Sequence, residues 1–362
     1  MTKQLFLLWA LVSTTVQSIS QKPIPGSELS AYFAFVNQAA RAIHKGNFEA
    51  ASTSFQEAFR HKPIPFFCDL KNAIIVNSRL GYHEKNAELL KITLRDKHID
   101  TVGLFQHLPP RLFDGNNLQL IRTYQTQSPV FNEMYRKAFF SLWQEEQDNL
   151  LSRLVPHQEI YTRFFDLFEK YGFPNEERIG SLDTGNNDVW GTLGTLFSNM
   201  IKQKGEIAQK TLQMLKIEFE KGNIPPSVLA NCYDCASENS ILDKKTFYFQ
   251  NELLAQTGGK IYRPFIYYTD SVMQVINTNR IAIGLDSFHI AQKQYICGSY
   301  CHIPDCSDPN KKTIQTVPYI SNPSFPYGFV KAAFEKEKQD MNWYLIDPVA
   351  VAGRCECEKK QY

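Results

Sequence analysis

The chemistry this chain could carry is concentrated in its cysteines and in one run of carboxylates. Cys232 and Cys235 enclose Tyr233 and Asp234, the two-residue spacing of a dithiol redox motif. A redox centre of that kind needs its first thiol at a helix N-terminus after a strand, where the dipole lowers the thiol pKa. Here the pair falls inside a helix that Pro225-Pro226-Ser227 would open, so a structural disulfide or a buried pair is expected. Cys297, Cys301, His302 and Cys306 offer three thiolates and an imidazole, a donor set that suits tetrahedral zinc. Adjacent Cys301 and His302 would have to reach one ion from neighbouring positions, which strains that geometry. Cys355 and Cys357 cannot easily bridge each other and are expected to reach back toward residues 297 to 306. Disulfides are therefore the expectation for Cys232, Cys235, Cys297, Cys301, Cys306, Cys355 and Cys357. Neither a metal nor a cofactor is expected, and Cys68 would remain as a buried thiol. Glu145, Glu146 and Asp148 splay around one helix axis, and their expected role is a solvated face. The sequence contains no glycine-flanked serine elbow, no His-Glu-x-x-His helix and no phosphate-cradling glycine loop.

The disulfide reading depends on compartment, and the first 20 residues set that. Lys3 and the α-amino group give a positive start, Leu5 to Val12 an apolar run, and Ser18 and Ser20 the small residues of a cleavage site. A membrane span needs ~20 apolar residues, and this run turns polar at Ser13. Residues 1–20 thus read as a secretory signal peptide, with a mature chain that begins at Gln21 and is periplasmic or extracellular. Cysteines exported to such a compartment are first read as disulfides.

Composition narrows the partners. Hydrophobic residues make up 43% and charged residues 21%, an ordinary balance for a chain that buries a core. A net charge of +2 supplies no field to steer phosphates, so nucleic acid is not an expected partner. No window after Ser20 approaches a membrane span, so no integral membrane segment is expected once the signal is removed.

The elements that would position these groups are mostly helices. Phe35, Ala39 and Ala42 share one face of a first helix, Gly46-Asn47-Phe48 makes a turn, and Ala51, Phe55 and Ala58 line the next helix, closed by Pro63. A second unit follows from Phe66 to Leu80, turns at Gly81-Tyr82 and continues through Ala87, Leu90 and Ile92. Residues 99–127, broken by Pro109-Pro110 and Asp114-Gly115, read as a connecting region. Ser128-Pro129 opens a helix through Phe139 and Trp143. Further helices run from Gln158 to Tyr171, from Asp188 through a break at Gly205 to Phe219, from Pro225, and from Pro264 to Asn279. On this reading residues 128–294 are all-α. From Tyr295 onward the texture is loop-rich, with a helix from Phe329 to Gln339 and a short strand at Trp343 to Ile346.

The first unit resembles a tetratricopeptide repeat. Gly46, Asn47 and Phe48 match its turn, and Ala51, Phe55, Ala58 and Pro63 the small, aromatic, small and proline positions of its second helix. Phe35 stands at the repeat's tryptophan position, and Ala39 and Ala42 replace its glycine and tyrosine. Two such repeats cannot bury a solenoid core, since at least ~3 stacked units are usually needed, so the array must pack on something downstream.

Residues 130 to 290 are similar to an uncharacterised bacterial domain of unknown function found in exported proteins. The stretches that carry the resemblance are Trp143 to Asp148, Glu169 to Pro174 before Ile179-Gly180, Gly222 to Pro226, and Ile276 to Arg280 with Gly284-Leu285. The family's aspartate-glutamine motif is matched by Glu146-Gln147, and its asparagine, arginine and glycine-leucine by Asn277, Arg280, Gly284 and Leu285. Two polar motifs usual in the family are missing. Phe197-Ser198-Asn199 stands where a glutamine-histidine pair is expected, and Asp234-Cys235 where an aspartate-arginine pair is expected. The resemblance makes Glu146, Gln147, Asn277 and Arg280 the candidate catalytic residues of a degenerate site.

The sequence therefore predicts a mainly α protein: tetratricopeptide-like helical hairpins over 21–98, a connecting region over 99–127, a second helical domain over 128–294 and a cysteine-rich segment over 295–362. The expected role is protein–protein interaction or scaffolding in the cell envelope, with a protein or peptide partner on the concave surface of the array. The competing expectation is a hydrolase or redox enzyme centred on residues 130–290. The two differ in whether Glu146, Gln147, Asn277 and Arg280 converge on one pocket.

Overall fold

The structure, a computed structural model, describes residues 27–125, 133–152, 157–183, 188–239, 241–242, 255–257, 260–264, 270–288, 290–291 and 343–345. The signal segment, Ser128-Pro129, the 329 to 339 helix and the five cysteines from Cys297 to Cys357 lie outside these residues. The described residues are mainly α-helical.

Two helical hairpins come first: α1 (Ser27–His44) with α2 (Phe48–His61), and α3 (Phe67–Arg79) with α4 (His83–Lys91). Small residues let α1 and α2 approach closely, because Ala39, Ala51 and Ala58 are fully buried and Phe55 fills the space between helices. Both turns use one device. Gly46 takes φ +66°, with Asn47 N–H donating to Ala42 O at 2.9 Å, and Gly81 takes φ +71°, with Tyr82 N–H donating to Asn77 O at 2.8 Å. These are Schellman closures, whose left-handed residue is strained for anything but glycine.

Helix α4 continues into a π-helical turn (Ile92–Asp96), followed by α5 (Thr101–His107), a 3₁₀ turn (Pro110–Leu112) and α6 (Gly115–Gln125). Over its described residues, 99–125, the expected connecting region is therefore folded. Ile99, Leu104, Leu108, Leu112, Phe113 and Ile121 bury against Phe67, Ile74, Leu90 and Leu94 of the second hairpin. The prolines and Asp114-Gly115 that suggest a linker instead delimit short helices. Asp100 caps one of them, accepting from Gly103 N–H at 2.7 Å.

The second half contains α7 (Glu133–Ser152), α8 (His157–Tyr171), α9 (Glu176–Ile179), α10 (Val189–Lys202), α11 (Gly205–Glu220), α12 (Pro226–Glu238) and α13 (Asp270–Ala282). The break expected at Gly205 separates α10 from α11, and Gly222 ends α11 at φ +76°. The all-α expectation needs correction here. Lys260–Pro264 is a strand, β2, pairing antiparallel with β1 (Ala255–Thr257) and with β3 (Trp343–Leu345), so the last helix starts at Asp270 and not at Pro264. In the β1–β2 pairing Thr257 stands opposite Lys260.

One apolar core joins the two halves. Tyr32, Phe33, Val36 and Phe66 from the hairpins pack in the same cluster as Phe139, Phe164, Trp190, Leu193 and Phe219. Phe33 stacks on Phe219 at 6.1 Å between ring centroids, and Phe66 meets Trp190 edge-on at 6.0 Å. Gly284, at φ +83°, lies so close to α1 that an added Cβ would stand 2.7 Å from Phe33 Cβ. The α1 face bearing Phe33 is thus covered by the second half, as the shortness of the array requires.

Candidate functional site

The residues that carry the repeat resemblance are partly buried and partly exposed. Ala51, Phe55 and Ala58 are buried, Phe35 stacks on His61 at 5.6 Å, and Phe48 lies beneath the Arg79 guanidinium at 4.9 Å. Pro63 is exposed just after α2.

Among the carboxylates of α7, Glu145 and Asp148 face outward. Glu145 pairs with Arg163 at 2.5 Å, and Asp148 accepts from Gln144 Nε2 at 3.0 Å. Glu146 departs from the solvated-face expectation, being fully buried. Its Oε1 accepts from Tyr161 Oη of α8 at 2.9 Å and from Asn199 Nδ2 of α10 at 3.1 Å, while Gln147 donates to its other oxygen. Burial, reinforced by the Glu146 charge, pushes the Tyr161 phenol well up, so it stays a donor. Asn199 supplies an amide donor to Glu146.

Asn277 and Arg280 share α13 and anchor the loop that follows it. Asn277 Oδ1 accepts from Phe288 N–H at 2.8 Å, and Arg280 Nε donates to Asp286 O at 2.8 Å. Burial pushes the Arg280 guanidinium down to about 10, against the opposing pull of Asp234 and Asp286. Asp234 is itself buried and faces this arginine electrostatically. Arg41 of α1 pairs with Asp286, and Asn37 donates to Gly284 O at 2.8 Å, so the same loop is held from the hairpin side. Glu146 is thus tied to α8 and α10, and Asn277 and Arg280 to residues 286 and 288.

Cys232 and Cys235 are buried thiols three residues apart on α12. Neither is bonded to another described cysteine. Cys235 Sγ donates to Ser198 O at 3.6 Å, and burial, with Cys235 adding to it, pushes the Cys232 thiol well up. A thiol kept protonated is a poor nucleophile, the opposite of a redox centre. Cys68 is a half-buried thiol beside the core.

Sequence reasoning missed a charged cluster where the two halves meet. Lys97, after the π-helical turn, pairs with Glu176 of α9 at 3.0 Å, and the two side chains are only 1% and 3% exposed. Glu176 also accepts from Phe67 N–H at 3.0 Å and from Trp190 Nε1 at 2.7 Å. Helix α3 has no side-chain cap of its own, so a carboxylate 109 residues away satisfies its first N–H. Asp69 accepts from the buried Tyr32 hydroxyl close by. In sequence Glu176 looks like a first-turn acid and Lys97 like a base just past a helix end, so nothing signalled their burial.

A separate open cleft of about 400 Å³ lies between α8 and the α10–α11 junction, lined by Gln158, Phe165, Asp166, Lys204, Glu206 and Lys210 among others. None of the four candidate residues lines it. Among the described residues, no helix is long and apolar enough to cross a membrane. No family model, curated protein or solved structure matches this chain.

Proposed function

We propose that the chain is an exported helical protein with a protein–protein interaction or scaffold role in the cell envelope, built on tetratricopeptide-like hairpins. The three-part layout of residues 1–20 supports export. The glycine turns at Gly46 and Gly81 and the small buried residues of α1 and α2 support the repeat reading. One observation carries the functional choice: three of the four polar candidates tie elements together, Glu146 linking α7 to α8 and α10, and Asn277 and Arg280 fixing the 286–288 loop, while Gln147 donates to its neighbour Glu146. Because the second half covers the Phe33 face of α1, the partner is expected on outward surfaces of the hairpins.

The second reading, a hydrolase or redox enzyme centred on residues 130–290, is favoured by one feature. Arg280 and Asp234 are both buried, and charged groups kept inside a fold are enriched at functional sites. A pull-down with the mature chain from Gln21, followed by identification of bound protein, tests the first reading. A stoichiometric partner supports it. No partner, together with an activity that Glu146→Gln abolishes in a folded variant, would replace it with the second.

A further inference from the structure

The cleft between α8 and the α10–α11 junction holds its charges in an unusual way. On three other helices, an exposed acid pairs with the base three or four residues after it: Glu57 with Arg60, Glu88 with Lys91 and Glu133 with Lys137, each at 2.7 Å. Glu206 and Lys210 of α11 have the spacing and order of Glu133 and Lys137, the favourable ones for a helix ion pair, yet they form none. Lys210 reaches instead to α8, where its Nζ lies 4.3 Å from the centroid of the Phe165 ring. A ring holds an ammonium in place without neutralising it. Asp166, next to Phe165, is likewise left by the base four residues on, since Lys170 lies over the Tyr171 ring at 4.9 Å. Lys204 completes the set at φ +61° and ψ −170°, a conformation that strains any residue but glycine. Two ammonium groups and two carboxylates thus line one cleft, and among the described residues none of the four is in an ion pair.

We propose that this cleft binds a short free peptide, with its carboxylate at Lys204 and Lys210, its ammonium at Asp166 and Glu206, and an apolar side chain on Phe165 and Ile207. The volume of about 400 Å³ falls within the ~300–1,000 Å³ usual for small-ligand sites. Charge complementarity selects a zwitterion: a ligand of one sign would satisfy two of the four groups and be repelled by the other two. Two further lining groups favour a peptide over a single amino acid. The Thr162 hydroxyl donates to Gln158 O at 2.9 Å and the Gln203 amide to Asn199 O at 3.2 Å, so each side-chain oxygen keeps its capacity to accept from a peptide N–H. The strain at Lys204 then has a role, because it sets a charged side chain where glycine would sit more easily. The cleft is separate from the outward hairpin surfaces, and the proposal does not depend on the partner expected there.

Calorimetric titration of the chain from residue 21 onward with the dipeptide Leu-Leu, its N-acetyl form, its C-terminal amide and free leucine tests this. The expected result is stoichiometric binding of Leu-Leu, weakened about two- to fivefold by blocking either end, the range of one exposed charge pair. Free leucine should bind more weakly than Leu-Leu. Lys210→Gln should weaken Leu-Leu by a similar factor and leave the amide unaffected, since the amide has already lost the group that Lys210 meets. Lys204→Gly should melt at the same or a higher temperature while binding Leu-Leu more weakly, a combination that a purely structural lysine would not give. Absence of binding by Leu-Leu at about 10 mM, a concentration that fills even a millimolar site, overturns the proposal. So does binding indifferent to the blocked ends or unchanged in both lysine variants, and leucine binding as tightly as Leu-Leu overturns the assignment to a peptide.

Discussion

Removing the Glu176 carboxylate should be among the costliest single changes in the molecule. Glu176→Ala strips the acceptor from Trp190 Nε1 at 2.7 Å and from Phe67 N–H at 3.0 Å, and leaves the Lys97 ammonium, 1% exposed, without its buried partner. Breaking a buried ion pair by deleting one member typically costs about 3–5 kcal/mol. Glu177, 3.3 Å from the same ammonium and 35% exposed, retains part of the compensation, which places the expected loss near the lower end, about 3 kcal/mol. Against a typical total of about 5–15 kcal/mol that is a large fraction. Urea melts followed by far-ultraviolet circular dichroism should show a lower midpoint with an unchanged slope. In Lys97→Met/Glu176→Leu the buried charge is gone together with its partner, so the double variant should be more stable than the sum of its single changes predicts. A loss below about 1 kcal/mol in Glu176→Ala, or strict additivity in the cycle, would refute the claim that this pair holds the halves together.

Three further outcomes follow from packing and burial. Ala51→Leu should overpack the α1–α2 contact, where Ala51 is fully buried, and cost about 1–3 kcal/mol in thermal melts. Gly284→Ala combines a φ of +83° with a Cβ 2.7 Å from Phe33 Cβ, so its midpoint should fall by the equivalent of more than about 1 kcal/mol. Cys232 and Cys235, buried and with the Cys232 thiol pushed up, should resist a thiol-directed alkylating reagent in the folded protein and react after denaturation; rapid labelling of the folded chain would contradict the packing described for α12.

Helical periodicity and turn chemistry were readable because they are local. Gly46, Gly81, Gly205 and Gly222 punctuate helices where their lack of a Cβ allows it, and the alanines of α1 and α2 mark a close helix contact. The folded character of residues 99–125 was hidden because prolines that cap short helices resemble those of linkers. Strand β2 was hidden because the Lys260–Pro264 run is short and one of its two pairing partners, Trp343–Leu345, is remote in sequence. The junction was the least legible. Whether Glu176 meets solvent or Lys97 depends on a contact across 79 residues that no local pattern encodes, and Glu146 likewise reads as one more acid on a charged helix until Asn199 arrives from α10.

The claim on which the account rests is that the hairpins have no complete core of their own and are completed by the second half. Expression of residues 21–125 alone, with a far-ultraviolet spectrum and a urea melt, tests it most directly. The shared cluster of Phe33, Phe66, Trp190 and Phe219 predicts that this fragment lacks a cooperative transition, whereas the chain from residue 21 onward has one. A cooperative melt of the isolated fragment with the helix content of the intact hairpins would contradict it.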